Sequence, residues 1–195
     1  TSMASAFFGA ENLVMTATDS PDLSQVTSMK EMFRRAFVFN GDISGWDTSS
    51  VTDMNSVFHN ANAFNQDISG WDTSSVTDMS NMFMHADVFN QNIGGWDTSM
   101  VTSMSSMFRN ANVFNQNISE WDTSMVTNMS SMFRRADVFN QNIGGWDVAS
   151  LTNAYNMFYA VTLSSENYDA LLAGWAVQSL QTGVNFHGGN SQYCD

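Results

Sequence analysis

Apolar positions recur along this chain every 25 residues, a period too long for any single helix or strand. Trp46, Trp71, Trp96, Trp121 and Trp146 mark it without a slip. Phe39, Phe64, Phe89, Phe114 and Phe139 are each followed by Asn, and Ile43, Ile68, Ile93, Ile118 and Ile143 come four residues after the Phe. Val26, Val51, Val76, Val101, Val126 and Leu151 are each followed by Thr. The pairs Met32–Phe33, Val57–Phe58, Met82–Phe83, Met107–Phe108, Met132–Phe133 and Met157–Phe158 close the units. Repetition in register means an array in which each unit stacks on the next, since one such unit cannot bury its apolar face alone.

Within one unit, Val76, Met79, Met82, Phe83 and Ala86 fall at i, i+3, i+6, i+7 and i+10. That spacing predicts a short helix with Asp72, Thr73 or Ser74 as its N-cap. Residues Ile68–Trp71 predict a short strand, bent near Gly70. Stacked in parallel about 4.8 Å apart, such units give an α/β solenoid. The expectation is a leucine-rich-repeat-like, right-handed coil of 25-residue strand–turn–short-helix repeats. Residues 1–162 would hold about seven coils, counting partial ones. Thr1-Ser2-Met3 matches Thr27-Ser28-Met29, so the chain opens mid-repeat and is expected to be a piece of something longer. After Phe158 the pattern fades. Tyr168, Leu171, Leu172 and Trp175 then form a helical stripe within 164–180, with Ser164 or Ser165 as its cap. Residues 163–195 therefore read as a helical C-terminal cap over the last open coil.

Composition narrows the function classes. With 6 Lys+Arg against 19 Asp+Glu the formal net charge is −13, which argues against a phosphate-backbone partner. No apolar run approaches the roughly 18–20 residues of a membrane span. The single cysteine, Cys194, excludes an internal disulfide framework, and its expected partner lies beyond this segment. Phe, Met and Trp, at 15, 15 and 6 copies, take the core positions that Leu would hold.

The unit Phe-Asn-Gln-Asp/Asn-Ile-Ser/Gly-x-Trp-Asp-Thr-Ser-x-Val-Thr-x-Met-x-x-Met-Phe resembles the BspA-like leucine-rich-repeat surface proteins. It is most similar to their 25-residue subclass of unknown function, over about residues 1–160. The ending Leu171-Leu172-Ala173-Gly174-Trp175, then Gly188-Gly189-Asn190-Ser191-Gln192-Tyr193-Cys194, is similar too. The resemblance implies a secreted or surface-anchored interaction module and transfers no catalytic residues.

Several columns are candidate sites. Trp46, Trp71, Trp96, Trp121 and Trp146 would form an aromatic ligand face if exposed. Five exposed indoles would exceed the roughly 300–600 Å² of a monomer's largest apolar patch, so a core role is the simpler reading. Asp47, Asp72, Asp97, Asp122 and Asp147 form an anionic column that could bind Ca²⁺, with helix capping as the alternative. Arg34, His59, Arg109 and Arg134 form a candidate basic edge at the ends of the expected helices. The Asn40–Asn140 and Gln66–Gln141 columns suggest amide ladders between units. The Thr48–Thr123 and Thr27–Thr152 columns raise ice binding, against which helix capping stands.

No catalytic motif and no cofactor motif is present. The expected function is a non-catalytic extracellular or cell-surface module for adhesion, with a cell-surface protein or glycan as partner, or self-association. A structural spacer or self-assembling subunit without a ligand is the alternative. An ice-binding or calcium-binding solenoid is third.

Overall fold

The structure is a computed structural model that describes residues 1–15 and 19–194. Successive units run parallel and in register. Ser28 bridges Asp53, and the same column continues through Asp78, Ser103 and Asn128 to Asn153. In the stretch that follows, two sets of backbone bonds alternate. The N–H groups of Met79, Asn81, Phe83 and His85 donate to the carbonyls of Ser103, Ser105, Met107 and Arg109 in the next unit, at 2.8–3.0 Å. Between them, Met82, Met84 and Ala86 donate to Met79, Asn81 and Phe83 within the unit, at 3.0–3.3 Å. The result is a run of overlapping β-turns, with every second N–H tied to the neighbouring unit.

This corrects both expected elements of the repeat. The helix over 72–86 does not form, because an α-helix needs consecutive N–H groups for its own carbonyls. Asn81 and His85 also adopt φ of 58° and 57°, each at the third position of a turn, where a type II turn demands left-handed backbone. The same two columns are left-handed in the other units, from Glu31 and Arg35 to Asn156 and Ala160. The strand at Ile68–Trp71 is absent too. Those residues make a turn closed by the Trp71 N–H on the Ile68 carbonyl at 3.1 Å, and the inter-unit bridge sits in the Asp53/Asp78 column. A β-branched residue in left-handed backbone costs roughly 1–2 kcal/mol, and Asn tolerates that region better. Asn81→Val is therefore expected to lower unfolding stability by about that amount, while Asn81→Gly stays near wild type. Urea denaturation of the two variants checks this.

The core is built from the repeated columns. Phe58, Phe83 and Phe108 stack at 5.6 Å between ring centroids from unit to unit. Within a unit, Phe83 lies over Phe89 at 4.0 Å. Ile68, Val76, Met79, Met82 and Ala86 fill the space around them and are fully buried. The Trp column is core as well, with Trp46, Trp71, Trp96, Trp121 and Trp146 only 1–6% exposed. It therefore offers no ligand face, which corrects the candidate made of those five residues. Burying an indole N–H requires an acceptor. Trp71, Trp96, Trp121 and Trp146 each donate Nε1–H to an Ile carbonyl of the preceding unit, at 3.0–3.1 Å.

Polar columns close the remaining gaps. The Asn65 side-chain oxygen accepts the backbone N–H of Asn90 at 2.9 Å, and the ladder continues through Asn115 and Asn140 to the Ser164 N–H. Gln91 donates Nε2–H to the Asn65 carbonyl at 3.0 Å. Thr48, Thr73, Thr98 and Thr123 are buried, and each hydroxyl donates to the Asp carbonyl of the next unit at 2.8–2.9 Å. They cap no helix.

Among the described residues, the one α-helix is α1, Ser165–Ala176. Ser164 is its N-cap, accepting the Asn167 N–H at 3.3 Å. The helix extends the columns of the array with its own residues. Trp175 donates Nε1–H to the Ile143 carbonyl at 3.3 Å, as the repeat tryptophans do to theirs. Asn167 donates to Asn140, in the manner of the repeat glutamines. Leu171 is buried with Trp175, whereas Leu172 faces outward. Beyond the helix, Phe186 pairs with Ala154 of the last unit.

Candidate functional site

One edge of the array carries side chains that the core does not need. It comprises the four columns that start after Phe33, Phe58, Phe83, Phe108 and Phe133, omitting the buried alanine column. The first reads Arg34, His59, Met84, Arg109, Arg134, and continues into Phe8 and Tyr159 in the flanking units. The second, in left-handed backbone, reads Arg35, Asn60, His85, Asn110, Arg135. The third reads Phe37, Asn62, Asp87, Asn112, Asp137, and the fourth Val38, Ala63, Val88, Val113, Val138.

The valine column is the feature that sequence reasoning missed. The backbone closes a turn from Ala36 to Phe39, with the same turn repeated at Ala86–Phe89, Ala111–Phe114 and Ala136–Phe139. That places Val38, Val88, Val113 and Val138 at the third position of a turn, where Gly, Asn, Asp or Ser are the ordinary residues. They are 53%, 44%, 40% and 49% exposed. Neither burial nor turn chemistry accounts for them. The available signal was the Val next to each core Phe in a turn-rich stretch, but an apolar neighbour of a core residue reads as core.

The basic column differs from its expected form. No helix ends there, so no helix dipole holds these side chains. Their stems run along the array with Nε of Arg34, Arg109 and Arg134 buried and without a hydrogen-bond partner. The guanidinium of Arg34 lies over the Phe8 ring at 5.5 Å, and that of Arg134 over the Tyr159 ring at 4.8 Å. Cation–π contact with the ring face fixes these planar groups. Burial, and after it Arg134 and Arg135, draws Arg109 below the ordinary arginine range.

His59 is not a cation at neutral pH, which corrects its place in the basic edge. Burial first, then the Arg34 guanidinium and His85, holds its ring down at about 4. Its ring stacks on His85 at 6.4 Å, and His85 Nε2 is 3.0 Å from the Asn110 amide. Burial, opposed by Asp87 and assisted by Arg109, lowers His85 as well. Between pH 6.5 and about 4 the unfolded chain binds a proton at His59 that the folded chain does not. Stability is therefore expected to fall as pH drops through that window. The ring is partly exposed, so the loss is about 1 kcal/mol after screening. His59→Asn should flatten that part of the pH profile, read by denaturation at pH 7, 5.5 and 4.

The remaining candidates engage themselves locally. Asp47, Asp72, Asp97 and Asp122 each accept the N–H of the Ser two positions on, at 2.9–3.1 Å. Asp147 accepts the Ala149 N–H in the same way. Hydrogen bonds from Ser49, Ser74 and Ser124 lower the carboxyls of Asp47, Asp72 and Asp122. These are turn-forming contacts and not helix caps. Among the described residues, no group of three or more His, Cys, Asp or Glu is close enough to hold a metal ion. Thr52, Thr77, Thr102, Thr127 and Thr152 form an exposed row in which each hydroxyl donates to the preceding Thr carbonyl at 3.0–3.2 Å. Among the described residues, no helix is long and apolar enough to cross a membrane.

A family model described as "Mycoplasma protein of unknown function, DUF285" matches the chain twice, over residues 1–99 and 89–192. No curated protein and no solved structure matches.

Proposed function

The chain belongs to this DUF285 repeat family, and from that premise we propose that it is a non-catalytic extracellular or cell-surface module that binds a protein or glycan along the Arg/Val edge. The single observation that carries the reading is the exposed valine at a turn corner, repeated in four units, three of which (those of Val38, Val113 and Val138) also carry arginine on this edge. Local choices that contradict local propensity concentrate at functional positions. A row of apolar side chains rimmed by Arg and Asn also has the composition of an interaction surface. We read the stacked units as a right-handed, leucine-rich-repeat-like solenoid of the BspA-like kind, in which β-turns replace the usual strand and helix. The extracellular setting rests on that resemblance and on an acidic chain whose only lysine is Lys30.

Val88→Glu/Val113→Glu places two charges on the exposed row without touching the core. The protein is expected to bind at least one class of cell-surface glycan or protein on an array, and this pair should reduce binding at least tenfold. Clean wild-type results on both arrays would sink the proposal. Self-association through the same row is the second reading, favoured by the apolar character of that row. It predicts a concentration-dependent sedimentation coefficient that the double variant abolishes.

A further inference from the structure

Given that this edge is a ligand surface, as proposed above, its arginines set the chemistry of the ligand. Arg109, Arg134 and Arg135 come from adjacent units, with the Asn110 N–H on the Arg134 carbonyl at 2.9 Å holding them in register. Adjacent parallel segments of this kind lie about 4.8 Å apart, so three guanidinium groups share one short stretch of the edge. The chain holds 19 Asp and Glu, yet among the described residues the one ion pair is Arg34 with Glu31. Of the two acids in the third column, Asp87 is engaged by the Asn62 and Asn112 amides, and Asp137, in the unit of Arg134 and Arg135, forms no ion pair among the described residues. Nε of Arg109 and of Arg134 is buried and unpartnered. Tyr159 beneath the Arg134 guanidinium fixes its plane. A group of like charges with one member held in plane and none in an ion pair, in a strongly acidic chain, is an arrangement for an external anion.

We propose that Arg109, Arg134 and Arg135 bind the anionic oxygen groups of a linear polysaccharide, either sulfate esters or uronate carboxylates, lying along the edge. Arg presents a planar fork that matches both groups. The ligand must be narrow. With a net charge of −13, the chain opposes any broad anionic partner, such as a nucleic acid or an acidic globular protein, outside this edge. Val113 and Val138 flank the cluster and supply apolar contact for the faces of the sugar rings.

The test is a titration of the whole chain with dextran sulfate, polygalacturonate, neutral dextran and poly-glutamate, at 50 and 300 mM NaCl. One of the two charged polysaccharides is expected to bind, and which one identifies the anionic group. Neutral dextran should not bind. Raising the salt should weaken binding at least tenfold, because the Debye length shortens from about 14 to about 6 Å. Arg109→Gln/Arg135→Gln should also weaken it at least tenfold. Arg135→Gln alone, at an exposed position, keeps the test valid if the double variant does not fold. Failure of both charged polysaccharides overturns the proposal, as does equal binding of poly-glutamate or unchanged binding by Arg135→Gln. If another glycan or a protein binds and Val88→Glu/Val113→Glu abolishes that binding, only this inference falls. If nothing binds, the interaction reading falls with it.

Discussion

Replacing Trp96 by Ala is expected to destabilise the array by about 3–5 kcal/mol, the range for losing a buried aromatic from a packed core. Trp96 sits in the middle of the column, 4% exposed, with the Phe83 ring 6.1 Å away. Truncation leaves a cavity between two units and removes one of the two hydrogen bonds to the Ile68 carbonyl, the indole's at 3.1 Å, while the Trp71 N–H stays in place. Trp96→Phe separates these effects. It keeps most of the volume and loses the indole hydrogen bond, while the Ile68 carbonyl keeps the Trp71 N–H, so a loss of only about 0.5–1.5 kcal/mol is expected. Because stability in an array is carried largely by neighbour contacts, the alanine variant should also broaden or split the urea transition. A loss below about 1 kcal/mol, far from the aromatic-truncation range, would mean that the indole is not packed.

The second large effect is expected at the cap. Gly174 lies in α1 with its Cα against the backbone of Gly144, so that a Cβ there would collide with the Gly144 carbonyl. A Cβ on Gly144 would likewise meet the Ala170 carbonyl. Backbone faces backbone, and no flexible side chain can move aside. Helix propensity alone makes Gly→Ala favourable by about 1 kcal/mol, whereas overpacking costs about 1–3 kcal/mol and occasionally more. The collision therefore decides the sign. Gly174→Ala should lower the melting temperature and lift Leu171 and Trp175 off the last unit, with a red shift in tryptophan emission. A higher melting temperature would contradict the close approach.

These two sites also show how much could be read from the sequence. The 25-residue register and the buried Phe, Ile, Met and Val columns were legible, because repetition fixes which positions face inward whatever the backbone does, and of the α1 stripe Leu171 and Trp175 are buried whereas Leu172 faces outward. Backbone geometry was not. A spacing of three residues between Val76, Met79 and Met82 suits a helix and a run of overlapping turns equally. The hydrogen bonds that decide between them come from another unit, 24 residues away for Met79 and Ser103. Left-handed backbone at the Asn81 and His85 columns is equally hidden, since Glu31, Arg35 and Ala160 occupy it elsewhere. Thr73 after Asp72 has the look of a helix cap, yet its hydroxyl reaches the Asp97 carbonyl at 2.8 Å. Charge marks the Arg column in the sequence. Nothing marks its valine neighbours, because exposure at a turn corner cannot be seen until the turn is known.

The most direct measurement is cell-surface binding of the labelled protein, with melting temperatures recorded beside it. Three forms suffice: the wild type, Val88→Glu/Val113→Glu on the edge, and Met100→Glu/Met125→Glu in a different exposed column. Binding is expected for the wild type and the methionine pair and should be lost in the valine pair, while all three melt within a few degrees of one another. Undiminished binding by the valine pair, or equal loss in both pairs, would contradict a role for this edge.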